Sequence, residues 1–109
     1  MRPWRGQVFE TEAKVVAQAA YAAGQMRLRL RAPEIAAAAK PGQFVHLQAS
    51  PCLPLRRPLS ILDADPQRGT IEIYYKIVGQ GTEALSQRKP GEALPIMGPI
   101  GRPFALDAN

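Results

Sequence analysis

Arg56 and Arg57 stand side by side at the head of RRPLSIL, residues 56 to 62, a stretch whose remaining residues read as a strand. Two adjacent guanidinium groups resist burial unless an anion meets them. Their planar donor forks match phosphate or carboxylate oxygens in pairs. Ser60, three residues after Arg57, adds a hydroxyl able to donate or accept at the edge of a heteroaromatic ring. The second stretch with chemical content is GQGT, residues 79 to 82. A glycine-rich turn leading into a helix, with Thr82 the expected N-cap, offers unpaired backbone N–H groups and the positive end of a dipole. Taken alone this is most often just a turn, and it lacks the third glycine of the dinucleotide fingerprint. Together, an arginine fork and a glycine loop are complementary devices for a pyrophosphate.

Other chemistry is sparse. Cys52 is the single cysteine and His46 the single histidine of the chain. One cysteine forms no internal disulfide and no thiolate metal cluster, so Cys52 reads as structural or free. His46, beside Val45 and Leu47, reads as a packed or surface histidine. No catalytic acid or base and no metal ligand set is expected.

Period-two alternation identifies the elements that must carry these groups. In MRLRLR, residues 26 to 31, Met26, Leu28 and Leu30 face one way and Arg27, Arg29 and Arg31 the other. A solvated strand face is the plain reading of those arginines, and a charged docking face the alternative. In TIEIYYKIV, residues 70 to 78, Ile71, Ile73, Tyr75 and Ile77 share one face, and Thr70, Glu72, Tyr74 and Lys76 the other. Strands are also expected around Val15 and Val16, over QFVHLQA, through RRPLSIL and over ALPIMGPIGRPF. APEIAAAAKPGQ reads as a short helical or irregular connection, ended by Pro41 and Gly42, and Asp63 to Gly69 as turn chemistry.

The chain has 109 residues, 46% apolar and 21% charged, which suits one globular domain covering 1–109. Eleven prolines and nine glycines favour short strands and many turns. An all-β fold is therefore expected: a small six-stranded antiparallel barrel with one short helix. The net charge of +5 suits an anionic partner, whether nucleic acid, phosphorylated cofactor or acidic protein. No apolar run approaches the roughly 18 residues of a membrane span. Nothing reads as a targeting signal, so a cytoplasmic setting is expected.

In order and spacing, Arg57-Pro58-Leu59-Ser60, Tyr74-Tyr75-Lys76, Gly79 to Thr82 and GPIG at 98 to 101 resemble the successive motifs of the ferredoxin reductase-type FAD-binding barrel family. KPGQFVHL, at 40 to 47, resembles that family's strand leading to the flavin, and the likeness runs from about residue 8 to 104. It is nearest to the branch of electron-transfer subunits that serve dihydroorotate dehydrogenase, whose members resemble this chain in an aliphatic residue at the position of Leu59. The resemblance implies a Greek-key barrel holding FAD on its outside. Arg57 would pair with the pyrophosphate, and Pro58, Leu59 and Ser60 would lie along the isoalloxazine, Ser60 near its reactive edge. Tyr74, Tyr75 and Lys76 would follow the ribityl and phosphate region. Gly81 and Thr82 would close on the pyrophosphate.

The resemblance also implies an FMN-containing dihydroorotate dehydrogenase catalytic subunit as partner, in pyrimidine biosynthesis. Full members of the family continue into a nicotinamide-binding domain, which would meet NAD, and a segment holding a [2Fe-2S] cluster. Neither is in this chain, which reads as an excised or truncated domain, inactive with NAD by itself. Another NAD(P)H-linked reductase of the superfamily is the near alternative. A basic single-strand nucleic-acid binder is the distant one: it accounts for the charge but leaves the order Arg57, Ser60, Gly79, Thr82 unexplained. A barrel that has lost its cofactor and serves as an interaction module is a third.

Overall fold

Alternation in the two clearest strand segments sorts their residues between a core and a surface, as expected from sequence. In β2 (Gln25–Arg31), Leu28 and Leu30 are fully buried and Met26 nearly so. In β6 (Thr70–Lys76), Ile71, Ile73 and Tyr75 point inward while Tyr74 and Lys76 are exposed. These strands pair antiparallel, with Leu28 opposite Ile73 and Leu30 opposite Ile71 as rungs of large aliphatic side chains, and Met26 opposite Tyr75 as the third inward rung.

The structure, a computed structural model, describes residues 8–40, 42–50 and 53–101, with the backbone alone at 50 and 53–57. The remaining strands are β1 (Phe9–Ala22), β3 (Phe44–Ser50), β4 (Leu53–Ser60), β5 (Asp63–Asp65) and β7 (Ala93–Ile100). Two short helices, α1 (Pro33–Ala38) and α2 (Gln80–Ser86), make the β2–β3 and β6–β7 connections. All ladders among the described residues are antiparallel, in the order β4-β3-β7-β1-β2-β6-β5.

That order forces the sheet to curl. Laid flat, seven strands at about 4.8 Å each would hold the outer two roughly 29 Å apart. Those outer strands, β4 and β5, are separated in sequence only by Ile61 and Leu62, a link reaching about 10 Å at most. The two edges must therefore approach one another, and the curled half-barrel encloses a core of Val15, Leu28, Leu30, Val45, Leu47, Ile71, Ile73, Leu94 and Ile96. Ile35 of α1 and Leu85 of α2, both fully buried, join the core.

The all-β antiparallel barrel expected from the sequence is thus the fold found. The described residues hold seven strands, the extra one being the three-residue β5 inside the stretch read as a turn, and α1 resolves the APEIAAAA connection as a second short helix. The GPIG motif belongs to the packing of β7 between β1 and β3. A Cβ at Gly98 would stand 2.8 Å from Val45 Cγ1, closer than such atoms approach, and Gly101 has φ +97°, where side chains are strained. No helix among the described residues is long and apolar enough to cross a membrane.

Candidate functional site

β4, β6 and α2 carry three of the motif segments, those at 57–60, 74–76 and 79–82, on neighbouring elements. β4 packs against α2 and also against β6. Lys76, the last residue of β6, is followed after Ile77 and Val78 by Gly79, where α2 begins. β4 is therefore a neighbour of both the strand and the helix that carry the other two segments.

On β4, Pro58 and Ser60 are exposed and Leu59 is buried among the core residues at 9% exposure. The Leu59 side chain therefore holds the strand down on the core. Pro58 suits this position because β4 is an edge strand, where a missing N–H interrupts no second ladder. Arg57 lies on β4 opposite Leu47 and Arg56 opposite Gln48. Their side chains, like Cys52 and Pro41, lie outside the described residues. Ser60 is opposite Phe44, and the next residue, Ile61, donates its N–H to the Gln43 carbonyl at 3.0 Å.

On β6, Tyr74 and Lys76 stand outward and Tyr75 is buried, as parity requires. The Tyr75 hydroxyl donates to Gln18 Oε1, and burial pushes its pKa well above the usual phenol value. The Gln18 amide in turn donates to the carbonyls of Leu85 and Arg88, both at 2.9 Å. One side chain on β1 thus satisfies carbonyls at the end of α2 and ties that helix to β6.

The start of α2 differs from the expectation for Thr82. The N-cap is Gly79, whose carbonyl accepts from Glu83 N–H at 2.9 Å, and Thr82 is the third helical residue. Its side chain is buried, and its hydroxyl accepts from the N–H groups of Val78 (2.8 Å) and Gly79 (3.2 Å). The hydroxyl hydrogen goes to the Gly79 carbonyl at 3.2 Å. Thr82 therefore shapes the loop from inside, and its hydroxyl is already committed. The N–H groups of Gln80, Gly81 and Thr82 precede the first intrahelical bond.

Gln43 is a further anchor that sequence reasoning missed. It is 5% exposed; its Oε1 accepts from Lys40 N–H at 2.8 Å and its Nε2 donates to the Gly101 carbonyl at 2.9 Å. It binds the α1–β3 turn to the end of β7 beside Ser60. A signal existed: Gln43 shares the parity of Val45, Leu47 and Ala49, so it is a polar residue in an inward-facing series. Gln18 had no such signal, because β1 has bulges between Val15 and Ala17 and between Ala20 and Ala22 that shift its parity.

The outer face of β2 and β6 is a solvated charged surface. Glu72 accepts from Arg27 Nη2 at 2.8 Å and also from Arg29. The Arg27 hydrogen bond outweighs burial and, with the Arg29 contacts, holds the Glu72 carboxyl below its ordinary value, while Glu72 raises that of Arg27. His46 is half-buried, its ring 5.5 Å from that of Phe44.

Comparison with known proteins identifies the family. The chain is 42% identical over 97 residues, 87% of its own length and 37% of the relative's, to the electron transfer subunit of dihydroorotate dehydrogenase B (NAD(+)) from Desulforamulus reducens. It is 38% identical over 96 residues to the subunit of that name from Geobacillus thermodenitrificans, covering 86% of this chain and again 37% of the relative. The chain thus spans little more than a third of these curated relatives. Among solved structures, the NADH-dependent reduced ferredoxin-NADP oxidoreductase superposes with a TM-score of 0.80 at 29% identity, over 84% of this chain and 33% of that one. The ferredoxin reductase of carbazole 1,9a-dioxygenase gives 0.74 at 32% identity, over 86% and 29%. The family profile described as "Oxidoreductase FAD-binding domain" matches residues 12–104, the span holding every motif segment above, and the chain belongs to that family.

Proposed function

We propose that this chain is the FAD-holding domain of an electron-transfer flavoprotein that passes electrons between a dihydroorotate dehydrogenase catalytic subunit and NAD in pyrimidine biosynthesis. The observation that carries the reading is the meeting of β4, β6 and α2, which gathers segments 57–60, 74–76 and 81–82 on adjoining elements of a FAD-binding-family barrel. The residues present fit such a group. Pro58 and Ser60 are outward on an open edge, Lys76 supplies an exposed cation, and the helix start supplies N–H donors beside it. Bound FAD supplies the redox chemistry. In this reading the chain positions it: Ser60 donates or accepts at the ring edge, Arg57 and Lys76 neutralise the diphosphate, and the backbone of Gly81 and Thr82 binds its oxygens. Leu59 and Tyr75 contribute backbone contacts from strands anchored in the core.

The names of the curated relatives support the assignment to dihydroorotate oxidation. By the family resemblance, this domain works with a nicotinamide-binding domain and a [2Fe-2S] segment, and its partner is an FMN-containing catalytic subunit in the cytoplasm. A second reading, another ferredoxin reductase-like protein linked to NAD(P)H, draws on the TM-scores to ferredoxin reductases.

The test is a visible absorption spectrum and an FAD titration of the chain and of Arg57→Ala. The expected result is a flavin band with saturable binding, weakened in the variant by roughly 1.5 to 3 kcal/mol through loss of a charge-assisted contact. Undiminished affinity in Arg57→Ala would remove Arg57 from the site, and absence of binding by the unaltered chain would count against the reading as a whole.

A further inference from the structure

The far end of the β1–β2–β6 ribbon holds a feature that the motifs do not account for. The register shift between Ala20 and Ala22 leaves Tyr21 as the extra residue of a bulge, a device that re-aims a side chain. Tyr21 is 54% exposed and its ring lies 5.1 Å from that of Tyr74, which is itself 38% exposed. The two planes meet at 56°, forming an open notch. Arg27, opposite Tyr74 in the ladder, sets its guanidinium carbon 6.0 Å from the Tyr74 ring centroid while bonded to Glu72. Its charge is thereby committed within the protein. Tyr21, Gln25, Tyr74, Tyr75 and Lys76 line a shallow pocket of about 220 Å³. Gln25 and Lys76 are direct partners in the ladder, and among the described residues Lys76 has no ion-pair partner.

Each component suits one end of a nucleotide. Exposed tyrosine rings offer a face on which a base stacks, with gains that do not depend on which base it is. A glutamine amide presents a donor and an acceptor side by side, the pattern that pairs with an adenine edge. A lysine ammonium is a point charge for phosphate. Lys76 also stands between this notch and the start of α2, three residues on at Gly79.

We propose that the Tyr21–Tyr74 notch is the adenine subsite of the FAD site, with Gln25 at the base edge and Lys76 between adenosine and diphosphate. The proposal rests on the FAD reading above and adds Tyr21 and Gln25, on strands outside the motif segments. Tyr21 then makes the chain prefer FAD to FMN, because FMN has no adenine to place there.

The experiment measures binding of FAD, FMN and ADP to the chain, to Tyr21→Ala and to Tyr21→Phe. Tyr21→Ala is expected to lose at least about fivefold in FAD affinity, the low end for removing one stacked ring, with FMN affinity unchanged, and Tyr21→Phe to keep the FAD affinity. Equal losses for FAD and FMN, or no loss for FAD, would overturn the proposal. Should the unaltered chain bind neither flavin, the FAD reading fails and ADP decides the rest. Tyr21-dependent ADP binding would sustain an adenylate pocket, and absence of ADP binding would remove it.

Discussion

The β2–β6 ladder and the β4–α2 rim are built on different principles within one sheet. In the ladder, one face is aliphatic and buried and the other is charged and wet, so apolar burial fixes the register and ion pairs decorate it. In the rim, Leu59 and Leu85 also enter the core, but Pro58 and Ser60 face outward on an edge strand that has one ladder partner. There the work passes to a few polar side chains: Gln43 between α1, β3 and β7, Thr82 inside the α2 loop, and Gln18 under the end of α2. An edge strand with a single ladder is here braced from behind by hydrogen bonds.

The contrast ranks the responses to substitution. Leu28→Ala, in the middle of the ladder, should destabilise most, by about 3 kcal/mol, as expected for a fully buried leucine that leaves a cavity. Urea unfolding would read this, and a loss below about 1 kcal/mol would break the claim that burial holds this half. Gln43→Ala should come next, at about 2 kcal/mol, because the Lys40 N–H and the Gly101 carbonyl lose their partner. Its signature is local: faster amide exchange at Lys40 and at Ile61, whose N–H is bonded to the Gln43 carbonyl, with the β2–β6 amides unmoved. Uniform acceleration across both regions would show that the rim is not separately braced.

Glu72→Gln should have the smallest effect, below about 1 kcal/mol, since both arginines are substantially exposed and solvent screens the pairs. Its pH dependence is definite. The folded Glu72 carboxyl titrates below its ordinary 4.5, so its contribution is present above that value and is lost as pH falls through the folded pKa. The stability difference between parent and variant should therefore shrink on acidification below about pH 4.5, as read by denaturant melts across that range. A difference that persists into strong acid would show that the ion pairs are not its source.

The ladder was legible in the sequence because alternation in MRLRLR and TIEIYYK is a local signal, and both strands keep their parity to the end. The motif segments were legible as types and spacing, and their adjacency came from topology. The partners of the bracing side chains were not legible, even where, as at Gln43, inward parity marked the residue itself. Gln18 finds its acceptors 67 and 70 residues away, and Gln43 reaches a carbonyl 58 residues on. No local pattern encodes such pairings. The helix start was misplaced by one turn because Gly79, its actual cap, has no side chain to advertise the role, whereas Thr82 does. The alanine-rich end of β1 has little strand propensity of its own, and pairing with β2 extends it to Ala22.

The place of β7 in the strand order bears on how the barrel comes into being. Among the described strands it is the last in sequence, yet it lies between β3 and β1, and among the described ladders it alone joins β4-β3 to β1-β2-β6-β5. During synthesis neither group has a ladder to the other, among the described residues, until Ala93–Ile100 has been made. Assembly of the sheet is thus a late, non-local event, the kind that folds slowly and leaves unpaired edges exposed in the nascent chain.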